Sequence, residues 1–161
     1  MTTLLVANRG EIARRIFRTA RRMNMTTVAV YSDADANEPF VREADLALRL
    51  GPPPAAESYL DIERVIAAAR EAGADLVHPG YGFLAESPAF ATAVRDAGMR
   101  FVGPTPEVLA SLGDKVQAKA LAHRARVPVL PGYMEADQRD DAFIEAAQRI
   151  GYPDSTGTRT R

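Results

Sequence analysis

The sequence predicts an α/β fold, a Rossmann-like open, mostly parallel sheet with flanking helices. Short apolar runs of strand length alternate with amphipathic stretches of helix length, and a glycine or asparagine closes each helix just ahead of the next run. The connections between runs are short, which favours parallel strands joined by right-handed crossovers. With 161 residues, 47% hydrophobic and 25% charged, the chain suits one domain with a real core and is too short for a large multidomain enzyme.

Residues 4–7 (Leu-Leu-Val-Ala) form an apolar run of the kind a buried parallel strand gives, followed by the loop Asn8-Arg9-Gly10. The spacing then predicts a helix over residues 11–23, with Ile12, Ile16, Ala20 and Met23 on the packed stripe and Arg15, Arg18 and Arg22 on another face. Asn24 ends it in a left-handed conformation, and the Val- and Thr-rich residues 26–31 make a second strand before the loop 32–35. Residues 37–51 are less regular, with a helical turn near Val41 and a strand at 46–50; the prolines 52–54 are a stiff connector. Asp61 caps a helix whose Ile62, Val65, Ile66 and Ala69 share a face, and Gly73 stops it. A strand at 75–77 follows. Ser87-Pro88 opens a helix burying Phe90, Ala91, Val94 and Ala97, and Gly98 ends it before a strand at 100–103.

Beyond Gly103, Thr105-Pro106 starts a short helix to Leu112, and Gly113 breaks it. Asp114 with Gln117 forms a capping box for a helix to about Arg126. Residues 127–130 are a candidate strand, Pro131-Gly132 a turn, and 142–150 a last helix stopped by Gly151. Residues 154–161 carry no large apolar side chain and are expected to be disordered.

Composition excludes several function classes. Twenty Lys and Arg against 21 Asp and Glu leave a net charge of -1, so no overall field draws nucleic acid or an anionic membrane. The absence of cysteine removes disulfides, thiolate metal sites and cysteine nucleophiles. No apolar run approaches the roughly 18–20 residues that span a bilayer, and a cytoplasmic location is expected. Neither a P-loop nor a nucleophile elbow is present. His78 and His123 are the only histidines and have no carboxylate partners at metal-ligand spacing, so no protein-built metal site is expected.

The loop at residues 8–11 sits where a dinucleotide fold places its phosphate turn, but it has one glycine rather than three and Glu11 beside it, which speaks against dinucleotide binding. For the arginines of the first helix, a solvated face with a Glu11–Arg15 ion pair is favoured over a partner surface. His78, Gly80, Tyr81, Gly82 and Glu86 belong to a stretch at the carboxyl edge of a strand; a ligand-facing loop and a tight structural turn both fit it. Lys115 lies in a helix's first turn, where the macrodipole disfavours a cation. Phosphate contact and a solvated lysine beside Asp114 both remain open.

Several segments together resemble biotin carboxylases, as found in acyl-CoA carboxylase α subunits and pyruvate carboxylase. They are residues 5–13 (Leu-Val-Ala-Asn-Arg-Gly-Glu-Ile-Ala), 27–35, 55–60 (Ala-Ala-Glu-Ser-Tyr-Leu), 78–86 (His-Pro-Gly-Tyr-Gly-Phe-Leu-Ala-Glu), 101–104 and 112–115 (Leu-Gly-Asp-Lys). They run collinearly from about Leu4 to Pro153, and the 78–86 stretch is the most diagnostic.

The resemblance implies an amino-terminal, pre-ATP-grasp domain over residues 1–112, the helical start of the ATP-grasp region over 113–153, and a tail, 154–161, outside the family pattern. In the intact family enzyme MgATP activates bicarbonate as carboxyphosphate, and the carboxyl group passes to biotin on a carrier protein. Carried over by position, Lys115 matches a nucleotide-contacting lysine, and Arg15 and Arg18 match arginines near a dimer contact. Arg22 departs from the pattern, since the family often has an acidic residue there. After Pro153 the family continues with an apolar strand, a lysine and a glycine-rich loop, whereas this sequence reads Asp-Ser-Thr-Gly, as a truncation or frame change would. The implied catalytic and metal-binding residues lie outside the chain, so ATP, magnesium and biotin are not expected to bind it productively. The implied partners are full-length carboxylase subunits or the ATP-grasp module, the biotin carrier protein and the carboxyltransferase. The alternative is a non-catalytic or degenerate fragment that pairs with full-length subunits.

Overall fold

The computed structural model describes residues 1–113, 115–130, 133, 137 and 139–151. It divides into two compact units, residues 1–110 and 111–161. The first is built on β1 (Thr3–Val6), β2 (Thr26–Ser32), β3 (Leu46–Gly51), β4 (Leu76–His78) and β5 (Arg100–Phe101), with α1 (Gly10–Arg22), α2 (Pro39–Glu43), α3 (Ile62–Glu71) and α4 (Pro88–Asp96) between them. The strands form one sheet in the order β3-β2-β1-β4-β5, and every pairing is parallel. Leu5 lies opposite both Val28 and Val77, so β1 is the central strand. This is the predicted open parallel sheet.

Strand alternation divides the core into two layers. Leu5, Ala7, Val28, Val30 and Val77 face the layer that holds Val65, Ile66 and Ala69 of α3 and Phe90 and Val94 of α4. Leu4, Val6 and Ala29 face the other way, toward Ala13, Phe17 and Ala20 of α1 and Phe40 of α2. The local signals behave as their chemistry requires. Asp61 accepts a hydrogen bond from the Arg64 amide at 3.1 Å and Ser87 from the Phe90 amide at 3.2 Å, each satisfying a free donor at a helix start. Asn24 has φ +56°, the left-handed conformation expected at the end of α1.

Helix α1 differs from expectation in two respects. The buried stripe of α1 is Ala13, Phe17 and Ala20, with Ile12 and Ile16 partly covered on its flank and Met23 60% exposed. Met23 lies at the C-cap, already off the helical path, and packing of the large Phe17 ring decides which face turns inward. Glu11 and Arg15 do not pair: Arg15 donates to Thr19 Oγ1 at 2.8 Å, while Arg14 carries the helix's ion pair, to Glu43 on α2 at 2.7 Å.

Helix α5 (Pro106–Leu112) ends at the border of the second unit, and α6 (Lys115–Arg124) and α7 (Asp140–Ile150) lie within it. Residues 127–130, expected as a strand, have no regular structure, and Val127 and Leu130 are 54% and 83% exposed. A β-branched run forms a strand only where a sheet edge offers hydrogen bonds and cover. The Asp114 capping box, the turn at 131–132 and the tail at 154–161 fall outside the described residues, as does the side chain of Lys115.

Candidate functional site

The strand order places a topological switch between β1 and β4. The chain moves outward from β1 to β2 and β3, then returns to lay β4 against the other side of β1. The loops leaving the carboxyl ends of β1 and β4 must diverge, and such a crevice is where open α/β sheets take ligands. In this chain the two loops are residues 7–9 and 79–87.

Asn8 joins them. It is 1% exposed, and its side-chain amide donates to the carbonyls of Pro79 at 2.8 Å and Tyr81 at 2.9 Å, while its Oδ1 accepts from the Arg9 amide at 2.9 Å. A carboxamide is the only short side chain that offers both two donors and an acceptor. Gly80 explains how the loops come so close: a Cβ there would stand 2.6 Å from Asn8 Nδ2, and its φ of +69° is open to glycine at little cost. Gly82 (φ +66°) and Phe83 (φ +42°) continue the left-handed turn, the latter against the preference of a bulky residue. Tyr81 projects from this loop 65% exposed, its hydroxyl donating to Glu11 at 2.6 Å, which raises the phenol's pKa.

A second knot closes the β2 side. Asp35, 9% exposed, accepts from the Tyr59 hydroxyl at 2.6 Å, from Ser32 Oγ at 3.0 Å and from Arg9 Nη1 at 3.3 Å. The Ser32 amide donates to the Tyr59 hydroxyl oxygen at 3.1 Å. Burial first, then the bond to Asp35, pushes the Tyr59 phenol above its ordinary range, so it remains a neutral donor. Its ring stacks on Phe83 with centroids 5.1 Å apart and planes 12° from parallel. Arg9, Asp35 and Tyr59 were not singled out as site residues from the sequence. Their legible sign was that each lies in a segment carrying the resemblance to biotin carboxylases, 5–13, 27–35 or 55–60.

The expected site residues separate. Gly80, Tyr81 and Gly82 lie in the crevice loop, and Glu86 is exposed at its far end. His78 points instead to the α1 side of the sheet. There it lines, with Leu4, Arg15, Ile16 and Val102, an open groove of about 560 Å³. It is half-buried, its Nδ1 accepts from the Gly80 amide at 3.0 Å, and burial lowers its pKa below 6.5. Arg15 is on that groove's rim and Arg18 is exposed on α1. Lys115 opens α6 in the second unit. Among the described residues, no group of three His, Cys, Asp or Glu could hold a metal ion.

Two outcomes follow from these bonds. Asn8→Asp keeps the shape but turns a donor toward two carbonyls into an acceptor, and it should lower stability by about 1–3 kcal/mol in urea unfolding. His78 titrates less readily folded than unfolded, so the unfolded chain binds the proton more strongly and acid favours it. Stability should be full above about pH 7 and fall as pH drops through about 6.5. His78→Asn, which keeps an acceptor for the Gly80 amide and does not titrate, should flatten unfolding midpoints measured between about pH 7 and pH 5.

Comparison with known proteins converges on one family. The family model described as biotin carboxylase, N-terminal domain, matches residues 1–109. Among curated proteins, the α subunit of mitochondrial methylcrotonoyl-CoA carboxylase from Oryza sativa subsp. japonica is 51% identical over 150 residues, 93% of this chain and 20% of that one. The biotin carboxylase of Halalkalibacterium halodurans is 45% identical over 150 residues, 93% of this chain and 33% of that one. Among solved structures, the biotin carboxylase domain of Hydrogenobacter thermophilus 2-oxoglutarate carboxylase, in complex with MgADP, ADP and bicarbonate, superposes with a TM-score of 0.87 at 39% identity, covering 94% of this chain and 33% of that one. The chain thus spans between a fifth and a third of the length of these relatives. A sheet whose switch-point loops are joined by Asn8, a family match over residues 1–109 and close superposition agree: this chain belongs to the biotin carboxylase N-terminal domain family.

Proposed function

We propose that the chain serves as the amino-terminal domain of a biotin carboxylase of the acyl-CoA carboxylase α-subunit type. In intact form such an enzyme uses MgATP and bicarbonate to carboxylate carrier-bound biotin. The observation that carries this reading is the crevice between β1 and β4, where Asn8 fixes the 79–83 loop and leaves the Tyr81 ring exposed at the ligand-taking edge. In this reading Gly80 and Gly82 shape the loop, Glu86 ends it, and His78 braces it through the Gly80 amide. Lys115 contacts the nucleotide. The domain boundary lies near residue 112, with 113–153 opening the ATP-grasp region, and the working place is the cytoplasm; no helix among the described residues is long and apolar enough to cross a membrane. The carrier protein and carboxyltransferase are its partners in the assembled enzyme.

Among the described residues no group of three metal-ligating side chains is present, and Arg9 at the crevice pairs with Asp35 at 3.3 Å. A triphosphate with its metal needs several fixed ligands and donors, so the isolated chain should show no biotin-dependent ATP hydrolysis; steady turnover by pure protein in a phosphate-release assay would overturn this reading.

A second reading, a non-catalytic fragment that pairs with full-length carboxylase subunits, is favoured by the apolar groove beside α1 with Arg15 on its rim. Arg15 and Arg18 then belong to the contact. Co-purification of tagged chain with a full-length carboxylase should be lost in Arg18→Glu, and association that survives the charge reversal would remove α1 from the contact.

A further inference from the structure

We propose that Arg9 is a positioning residue: its guanidinium holds Phe83 in the left-handed turn and so fixes the loop that presents Tyr81. The guanidinium carbon lies 5.7 Å from the Tyr59 ring centroid and 5.8 Å from that of Phe83. Planar guanidinium groups stack on aromatic faces and are attracted by their quadrupole, which an ammonium on a flexible stem does less well. Asp35 bonds Nη1 at 3.3 Å and is itself immobilised by Tyr59 and Ser32. Phe83 needs such support, because its φ of +42° is unfavourable for a bulky residue and persists only when its surroundings overdetermine it.

Asn8, Arg9 and Glu11, from the β1 loop and the first turn of α1, thus grip the other loop at separate points. Asn8 takes the carbonyls of Pro79 and Tyr81, Glu11 takes the Tyr81 hydroxyl, and Arg9 meets the Phe83 ring. Of these, only Arg9 also reaches the β2 side of the crevice, through Asp35. It therefore transmits the position of the β2 loop to the β4 loop. What the loop serves rests on the function proposed above; the grip itself does not.

Hydrogen exchange by mass spectrometry on the full chain, with no nucleotide, bicarbonate or biotin present, tests the grip apart from that function. In Arg9→Met, amides of residues 79–86 should exchange about tenfold faster, while peptides covering β1 and β2 stay unchanged. Arg9→Lys, which keeps the charge beside Asp35 but not the flat face, should fail to restore protection. Unchanged exchange in the loop, equal acceleration throughout the sheet, or full protection in Arg9→Lys would each overturn the assignment. Should the variants not fold, the unaltered chain still decides: the Arg9 side-chain protons should show upfield ring-current shifts in NMR spectra, and ordinary shifts there would overturn it.

Discussion

The buried carboxamide of Asn8 is the constraint on which the rest of the crevice depends. Parallel strands end with loops that diverge, and nothing in the sheet's own hydrogen bonding ties the end of β1 to the turn after β4. A single side chain that satisfies two carbonyls and one amide does so. Inside a protein these bonds are costly to leave unmade, which gives the junction a definite geometry rather than a loose contact. Every described buried side-chain nitrogen and oxygen has a hydrogen-bond partner, so this polar network is satisfied as well as buried.

The two faces of the sheet are finished differently. On one, α3 and α4 cover the core, and Phe90 meets Phe101 edge to face at 5.9 Å. On the other, α1 and α2 cover β1 to β3, while Leu76 and Val102 sit beside the open groove. The polar knots gather at the carboxyl ends of the strands, and the apolar opening lies beside α1. Polar, hydrogen-bonded surface and apolar surface thus lie on separate parts of one small unit.

Much of the fold was legible because its signals are local. Asp61, Ser87 and Asn24 act within a few residues of themselves, and their chemistry is the same in any helix end. The 79–83 loop was legible as a turn through its glycines. What escaped was set by distance along the chain. Arg9, Asp35, Tyr59 and Phe83 meet only once the strand order is known, and no periodicity relates them. The same holds for Glu11, whose helical neighbour Arg15 was the natural partner until the sheet brought Tyr81 within 2.6 Å. Residues 127–130 failed for the converse reason: their composition suits a strand, but they lie exposed and without ladder partners.

The missing methyl at Gly80 has one more consequence. Because that position is filled by the amide of Asn8, neither site can drift alone: a side chain at 80 collides with the carboxamide, and losing the carboxamide strands two carbonyls. Paired replacements here should behave far from the sum of the separate ones. Asparagine and glycine, 72 positions apart in the chain, are tied through one contact.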